Sequence, residues 1–65
     1  GIYAQNGSTI SAYSAIIQNQ KTGLNCIIVQ NGSTIEAANI NTTGSTVTIF
    51  SQAINTLTAN GIIYQ

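Results

Sequence analysis

The sequence is nearly devoid of charge. Of its 65 residues, only Lys21 and Glu36 carry a charged side chain, and the formal net charge at pH 7 is zero. Histidine is absent, and Cys26 is the single cysteine. A lone cysteine excludes an internal disulfide, and one carboxylate without histidine leaves no ligand set for a structural metal. We therefore predict a chain without cofactor, metal or internal cross-link.

The same absences argue against catalysis. Without histidine no Ser–His or Cys–His pair can form, and the carboxylate of Glu36 alone cannot supply the pair that most glycoside hydrolases use. The chain by itself is therefore predicted not to be an enzyme. We interpret Glu36 and Lys21 as solvated side chains and Cys26 as a small, semi-buried strand residue. The alternatives are a salt bridge between copies and a reactive thiol, respectively.

Low charge also limits the partners. A neutral chain has no basic patch for nucleic acid, and no apolar run approaches the roughly 18 residues needed to span a bilayer. The sequence begins at Gly1 and shows no secretion signal, so we expect a piece of a longer protein. A chain this short is usually marginal without disulfides, metals or partners. We therefore expect self-association or packing within a larger parent chain.

A repeated phrase organises the chain. The segment Cys26–Ala37 reads CIIVQNGSTIEA, the segment Gly1–Ala12 reads GIYAQNGSTISA, and the segment Thr48–Ala59 reads TIFSQAINTLTA. These copies divide the single domain, residues 1–65, into modules of approximately 1–25, 26–47 and 48–65. Repeats with a period of a few tens of residues indicate a solenoid or an array.

Stacking the modules aligns residues into columns. Alternating side chains in a strand point to opposite faces, so Ile35 and Ala37 are predicted inward and Glu36 outward. The predicted interior ladder comprises Ile10, Ile35, Leu57, Ala12, Ala37 and Ala59. A glutamine column is predicted to form either a stacked amide ladder or a row facing water, and its members are Gln5, Gln30 and Gln52.

Two neighbouring apolar columns indicate an interface. One contains Ile2, Ile27 and Ile49, and the next contains Tyr3, Ile28 and Phe50. Since successive strand residues face opposite ways, one column must point outward, and an outward apolar stripe needs a partner. We predict that Tyr3, Ile28 and Phe50 form an oligomer interface around a threefold axis.

The fold class predicted from these columns is all-β, a parallel β-helix (β-solenoid) of about three coils with short strands, and oligomeric. The alternative is an antiparallel sheet of hairpins. Asn-Gly pairs at 6–7, 31–32 and 60–61 suit two-residue turns, because both residues tolerate positive φ. Three copies with matching inward aliphatic positions favour the stacked coils.

The phrase in Gly1–Ala12 and its copy in Cys26–Ala37 resemble coils of the right-handed parallel β-helix in bacteriophage tailspike and tail-fibre proteins. Those coils often carry Gly-Ser-Thr-aliphatic-x-Ala. The resemblance implies a homotrimer on a virion tail, or otherwise outside the cell, that engages cell-surface polysaccharide. The catalytic carboxylates of many such proteins have no counterpart here beyond Glu36. The implied role is a structural or trimerisation segment of a tailspike or tail-fibre adhesin.

Two other roles remain open. Residues 5–12 and 30–37 resemble part of the curli-type amyloid repeat, Gln-x-Gly-x-x-Asn-x-Ala, which implies an extracellular fibre subunit. The curli asparagine is replaced here by Ile10 and Ile35, and the second glutamine of that repeat is missing. A carbohydrate-binding part of a tailspike is the further alternative, in which Tyr3, Tyr13 and Tyr64 stack on sugar rings; packing is the other interpretation of these tyrosines.

Overall fold

Five short strands make up the regular structure in the part of the chain that is described. A computed structural model describes residues 1–18, 25–44 and 50–65. The strands are β1 (Ile2–Ala4), β2 (Thr9–Ser11), β3 (Ile27–Val29), β4 (Ser33–Glu36) and β5 (Gly61–Tyr64). The residues within those three ranges form no helix. They therefore contain no helix that is long and apolar enough to cross a membrane. The all-β prediction is confirmed for this part of the chain.

Every strand pair is parallel. A two-stranded sheet has the order β1-β3, and a three-stranded sheet has the order β2-β4-β5. Ile2 pairs with Ile27 and Ile10 pairs with Ile35, so β1 and β2 meet their partners at one and the same separation along the chain. Hairpins join adjacent strands antiparallel, so parallel pairing excludes the hairpin alternative for these strands.

Backbone hydrogen bonds continue between the strands, where the chain turns. At the first corner Asn6 (φ 58°) lies beside Asn31 (φ 55°), and each is followed by a glycine with positive φ. The Gly7 N–H donates to the Asn31 carbonyl at 3.0 Å. Asparagine and glycine enter the left-handed region at low cost, which explains why this pair of residue types occurs at both levels.

A second corner follows β2 and β4. Ser14 and Asn39 both have positive φ, at 57° and 56°, and the Ser14 N–H donates to the Ala38 carbonyl at 2.9 Å. Beyond this corner Ile16 forms a parallel bridge with Asn41, at the same separation along the chain as the two strand pairs before it. The segment that contains β1 and β2 thus keeps one register with the segment that contains β3 and β4 at three pairing sites.

The core lies between the two sheets. In β3 and β4 alternate residues are buried, as a half-buried strand requires. Cys26 and Ser33 are buried as well, and the Ser33 hydroxyl donates to the Gln30 carbonyl at 2.8 Å. Among the described residues the buried apolar ones are Ala4, Ala12, Ile17, Cys26, Ile27, Val29, Ile35, Ala37 and Ile63.

The third segment pairs in a different register from the predicted one. Ile27 bridges to Phe50, and Ser33 pairs with Gly61. The stretch from Phe50 to Gly61 is five positions longer than the stretch from Ile27 to Ser33 that it accompanies. The extra residues form a loop before β5. The columns predicted for the third module are wrong by one position at Phe50 and by more beyond the loop.

Candidate functional site

The predicted interior ladder holds for its first two levels and fails at the third. Ile10 pairs directly with Ile35, which is fully buried. At the third level the inward residue is Ile63 of β5, which pairs with Ile35 and is also fully buried. Leu57 is 77% exposed and lies in the loop. The prediction of Leu57 as an inward residue is wrong, because the inserted loop moves it out of register.

The alanine column behaves in the same way. Ala12 and Ala37 are buried, and the Ala37 N–H donates to the Tyr64 carbonyl at 2.7 Å. Ala59 is exposed and lies within the turn that leads into β5. Its predicted inward position is therefore wrong. Alanine suits the two buried sites because it leaves room for the chain to turn next to a packed strand.

The outward apolar stripe is shorter than predicted. Tyr3 pairs with Ile28, and both lie opposite the buried face of their strands, with Tyr3 48% exposed. Phe50 bridges to Ile27 instead, and it packs against the core cluster. The register then places Ser51 beside Ile28. The predicted column of Phe50 is therefore wrong by one position, because Phe50 pairs with Ile27 and not with Ile28. Ile49 lies outside the described residues.

The glutamines do not form the stacked amide ladder, which is one of the two arrangements predicted for this column. The alternative is a row facing water, and of its members Gln5 and Gln30 are exposed while Gln52 is half-buried. The Tyr3 hydroxyl donates to Oε1 of Gln30. Gln52 lies in the third segment, where its amide donates to the Gly61 carbonyl at 2.9 Å and to the Thr56 carbonyl at 3.0 Å. The backbone carbonyl of Gln5 accepts hydrogen bonds from the N–H and the hydroxyl of Ser8. The column fails because one glutamine bonds to a neighbouring tyrosine and another to its own loop.

An asparagine pair forms the amide contact instead. Nδ2 of Asn31 donates to Oδ1 of Asn6 at 3.2 Å. The two asparagines lie at the first corner, in adjacent levels of the stack. Stacked amides of this kind stabilise parallel in-register segments. The signal was present in the sequence, since the Asn-Gly pairs at 6–7 and 31–32 recur with the period of the repeated phrase. The sequence pattern by itself predicts only a turn role for these residues.

A loop covers the outer edge of β5. One edge of β5 bonds to β4, and the carbonyls on the other edge meet the loop before the strand. Gln52 donates to the Gly61 carbonyl, and the Asn55 backbone N–H donates to the Ile63 carbonyl at 2.7 Å. Oδ1 of Asn55 also accepts from the Gln65 N–H at 2.9 Å. We call Gln52 and Asn55 the edge cap.

The tyrosines lie at the surface. Tyr13 is 61% exposed, and its hydroxyl accepts a hydrogen bond from Nδ2 of Asn39 at 3.0 Å. Tyr64 is 48% exposed and pairs with Glu36, which is half-buried. Oε1 of Glu36 accepts from the Ala38 N–H at 2.8 Å. Glu36 thus also secures the backbone next to the second corner.

The reactive side chains do not converge. Within residues 1–18, 25–44 and 50–65 no three histidine, cysteine or acidic side chains come together as metal ligands would. The thiol of Cys26 is fully buried at the start of β3, in agreement with a packing role. Lys21 lies outside the described residues. The features brought together by the fold are those of packing and strand association.

Comparisons with protein-family models, with curated proteins and with solved structures found no significant match to this chain. The tailspike and curli resemblances remain expectations. A function must therefore be inferred from the stacking, the exposed stripe and the edge cap.

Proposed function

We propose that the chain is a structural segment of a parallel β-solenoid of about three coils. It would serve as a non-catalytic stalk or trimerisation segment of a tailspike or tail-fibre adhesin, on a virion tail or otherwise outside the cell. The observation that carries this proposal is the shared register of the first two segments. One offset along the chain applies to β1 on β3, to β2 on β4 and to Ile16 on Asn41.

A shared offset is expected when complete coils stack. Three separate pairing sites keep it, although two corners lie between them. In a repeat protein of this kind each coil contacts only its neighbours, and the core grows by stacking. The extension before β5 then corresponds to a loop inserted into the third coil, and not to a break in the stack.

The exposed pair of Tyr3 and Ile28 supports association with other copies. The described part of the chain buries few large side chains, and the formal net charge of zero supplies no repulsion between copies. A 65-residue chain with a small core gains stability when an outward apolar pair is covered. Threefold packing of this pair is the arrangement that the tailspike resemblance implies.

Sedimentation equilibrium tests this association with two matched variants. We expect a particle of three times the 6.8 kDa chain mass, and we expect Ile28→Ser to weaken it without abolishing β-type circular dichroism. Phe50→Ser should instead lower the melting temperature, because Phe50 packs on the core. A wild-type chain that is a stably folded monomer at every concentration would eliminate the trimerisation role.

The fibre alternative is disfavoured by the edge cap. Unlimited head-to-tail growth needs an open strand edge at both ends of the stack. Among residues 1–18, 25–44 and 50–65, β1 and β2 each have a strand neighbour on one side only. The outer edge of β5, by contrast, already bonds to the cap through Gln52 and Asn55. A copy adding at this end would first have to displace the loop.

Removing the side-chain bonds of the cap, while the backbone N–H at position 55 stays, gives a direct comparison between the two roles. We expect wild type to stay free of fibres in electron micrographs and thioflavin assays, and the double variant Gln52→Ala with Asn55→Gly to form them. Glycine keeps the positive φ of 57° at position 55. Leu57→Ala, in the same loop but exposed, is the control that should remain free of fibres. Fibres from wild type at the rate of the double variant would support the amyloid role instead.

A further inference from the structure

The first corner carries a chemical feature besides its shape. Asn6-Gly7 and Asn31-Gly32 are exposed, and Asn60-Gly61 leads into β5. Asparagine followed by glycine is open to intramolecular attack, since glycine has no side chain to hinder approach of its backbone nitrogen. We infer that Asn31 is the site of spontaneous deamidation in this protein, and that the change weakens the contact between the first two levels.

The reaction needs only the chain and water. The backbone nitrogen of Gly32 loses its proton and attacks Cγ of Asn31, forming an N–Cγ bond. The Cγ–Nδ2 bond breaks and ammonia leaves, which gives a five-membered succinimide. Water then opens that ring at either carbonyl, so that position 31 becomes aspartate or isoaspartate. The isoaspartate form adds a methylene to the backbone, at a corner where φ is 55°.

The three glycine nitrogens differ in their hydrogen bonds. The Gly7 N–H donates to the Asn31 carbonyl at 3.0 Å, and the Gly61 N–H donates to the Thr58 carbonyl at 3.0 Å. Among the described residues the Gly32 N–H has no such acceptor. A donated hydrogen bond stabilises the protonated amide, so it opposes loss of the proton. The bond that the Asn31 carbonyl accepts from Gly7 restrains the Asn31–Gly32 peptide as well, but it leaves the Gly32 N–H unbonded.

Other differences between Asn6 and Asn31 are small. Both are exposed, both have positive φ, and both are restrained by one shared bond between their side chains, from Nδ2 of Asn31 to Oδ1 of Asn6. The glycine nitrogen is therefore the main difference between the two sites. One net hydrogen bond corresponds to roughly a fivefold difference in rate.

The consequence of the change depends on the product. An aspartate at position 31 cannot donate to Oδ1 of Asn6 as Asn31 does, but the exposed Asn6 side chain can turn its own Nδ2 toward the carboxylate. Isoaspartate lengthens the backbone at this corner by one methylene, and rotation of a neighbouring side chain does not remove that change. The contact between the first two levels should therefore be weakened by isoaspartate at position 31 more than by aspartate.

Peptide mapping by mass spectrometry tests the site. The protein is incubated at mildly alkaline pH, with and without denaturant, and cut after aromatic residues and leucine, which puts Asn6, Asn31 and Asn60 into separate peptides. In the folded sample we expect Asn31 to deamidate roughly fivefold faster than Asn6, and in denaturant we expect the two rates to converge. Deamidation of Asn6 as fast as, or faster than, that of Asn31 in the folded sample would overturn the inference.

Melting temperatures of the two products test the consequence. The form with isoaspartate at position 31, separated from the aged protein by chromatography, should melt at a lower temperature than the variant Asn31→Asp, which has the same charge and an unaltered backbone. Equal melting temperatures for these two proteins would overturn the inference that the change weakens the contact.

Discussion

The position of Ile63 gives the sharpest test of the third segment. Ile63 is fully buried opposite Ile35, whereas Leu57, which the repeat alone places inward, is 77% exposed. Ile63→Ala removes three buried carbons, worth about 2.4 kcal/mol of transfer free energy, and the cavity left behind raises the cost to about 3–4 kcal/mol. Leu57→Ala, at an exposed site, should change the free energy of unfolding by less than about 0.5 kcal/mol.

Urea unfolding followed by circular dichroism measures the difference. A chain of this length has a free energy of unfolding of about 3–10 kcal/mol, so Ile63→Ala removes a large part of it. Ile63→Val, with an expected cost of about 1 kcal/mol, remains folded and gives a second point on the same scale. All proteins are compared at one concentration, since association raises apparent stability. A larger loss for Leu57→Ala than for Ile63→Ala would refute the register of β5.

Two further predictions concern β4 and the glycines. Ile35→Asp should destabilise the fold by about 4 kcal/mol or more, because it buries an unpaired carboxylate. Glu36→Gln keeps the acceptor for the Ala38 N–H and should cost less than about 1 kcal/mol. Thermal melts in the reverse order would show that the two faces of β4 are interchanged. Gly61→Ala should cost about 3 kcal/mol or more, since its Cβ would lie 1.8 Å from the Ser33 carbonyl oxygen at a φ of 118°. Gly7→Ala meets nothing within 4 Å and should cost only about 1–2 kcal/mol. Equal losses in urea titrations of the two glycine variants would contradict the close approach of β5 to β4.

The first two segments could be predicted from sequence because their repeat is long and uninterrupted. Residues 1–12 and 26–37 share the same turn residues between the same aliphatic positions. A one-residue slip would turn Ile10 and Ile35 outward, so a half-buried strand strongly specifies its register. The pairing of Ile10 with Ile35, and of Tyr3 with Ile28, follows from this pattern alone.

The third segment could not be predicted in the same way. Alternating aliphatic residues fit more than one register, and the stretch 56–58, Thr-Leu-Thr, imitates an inward aliphatic residue between two outward ones. Nothing in the local pattern shows that a loop was inserted before Gly61. Burial decides the register, because Ile63 fills the core below Ile35 while Leu57 does not. The edge cap depends on that insertion, so it could not be predicted either.

The parallel stacking of complete segments is tested most directly by methyl-to-methyl contacts in nuclear magnetic resonance spectra of isotope-labelled protein. Stacked coils predict cross-peaks between Ile10 and Ile35 and between Ile35 and Ile63, since these residues are paired in register. Mixing labelled with unlabelled chains must leave those peaks unchanged relative to the labelled chain, because they arise within one molecule. Cross-peaks from Ile35 to Leu57 in place of Ile63, or loss of the Ile10–Ile35 peak on mixing, would contradict the account.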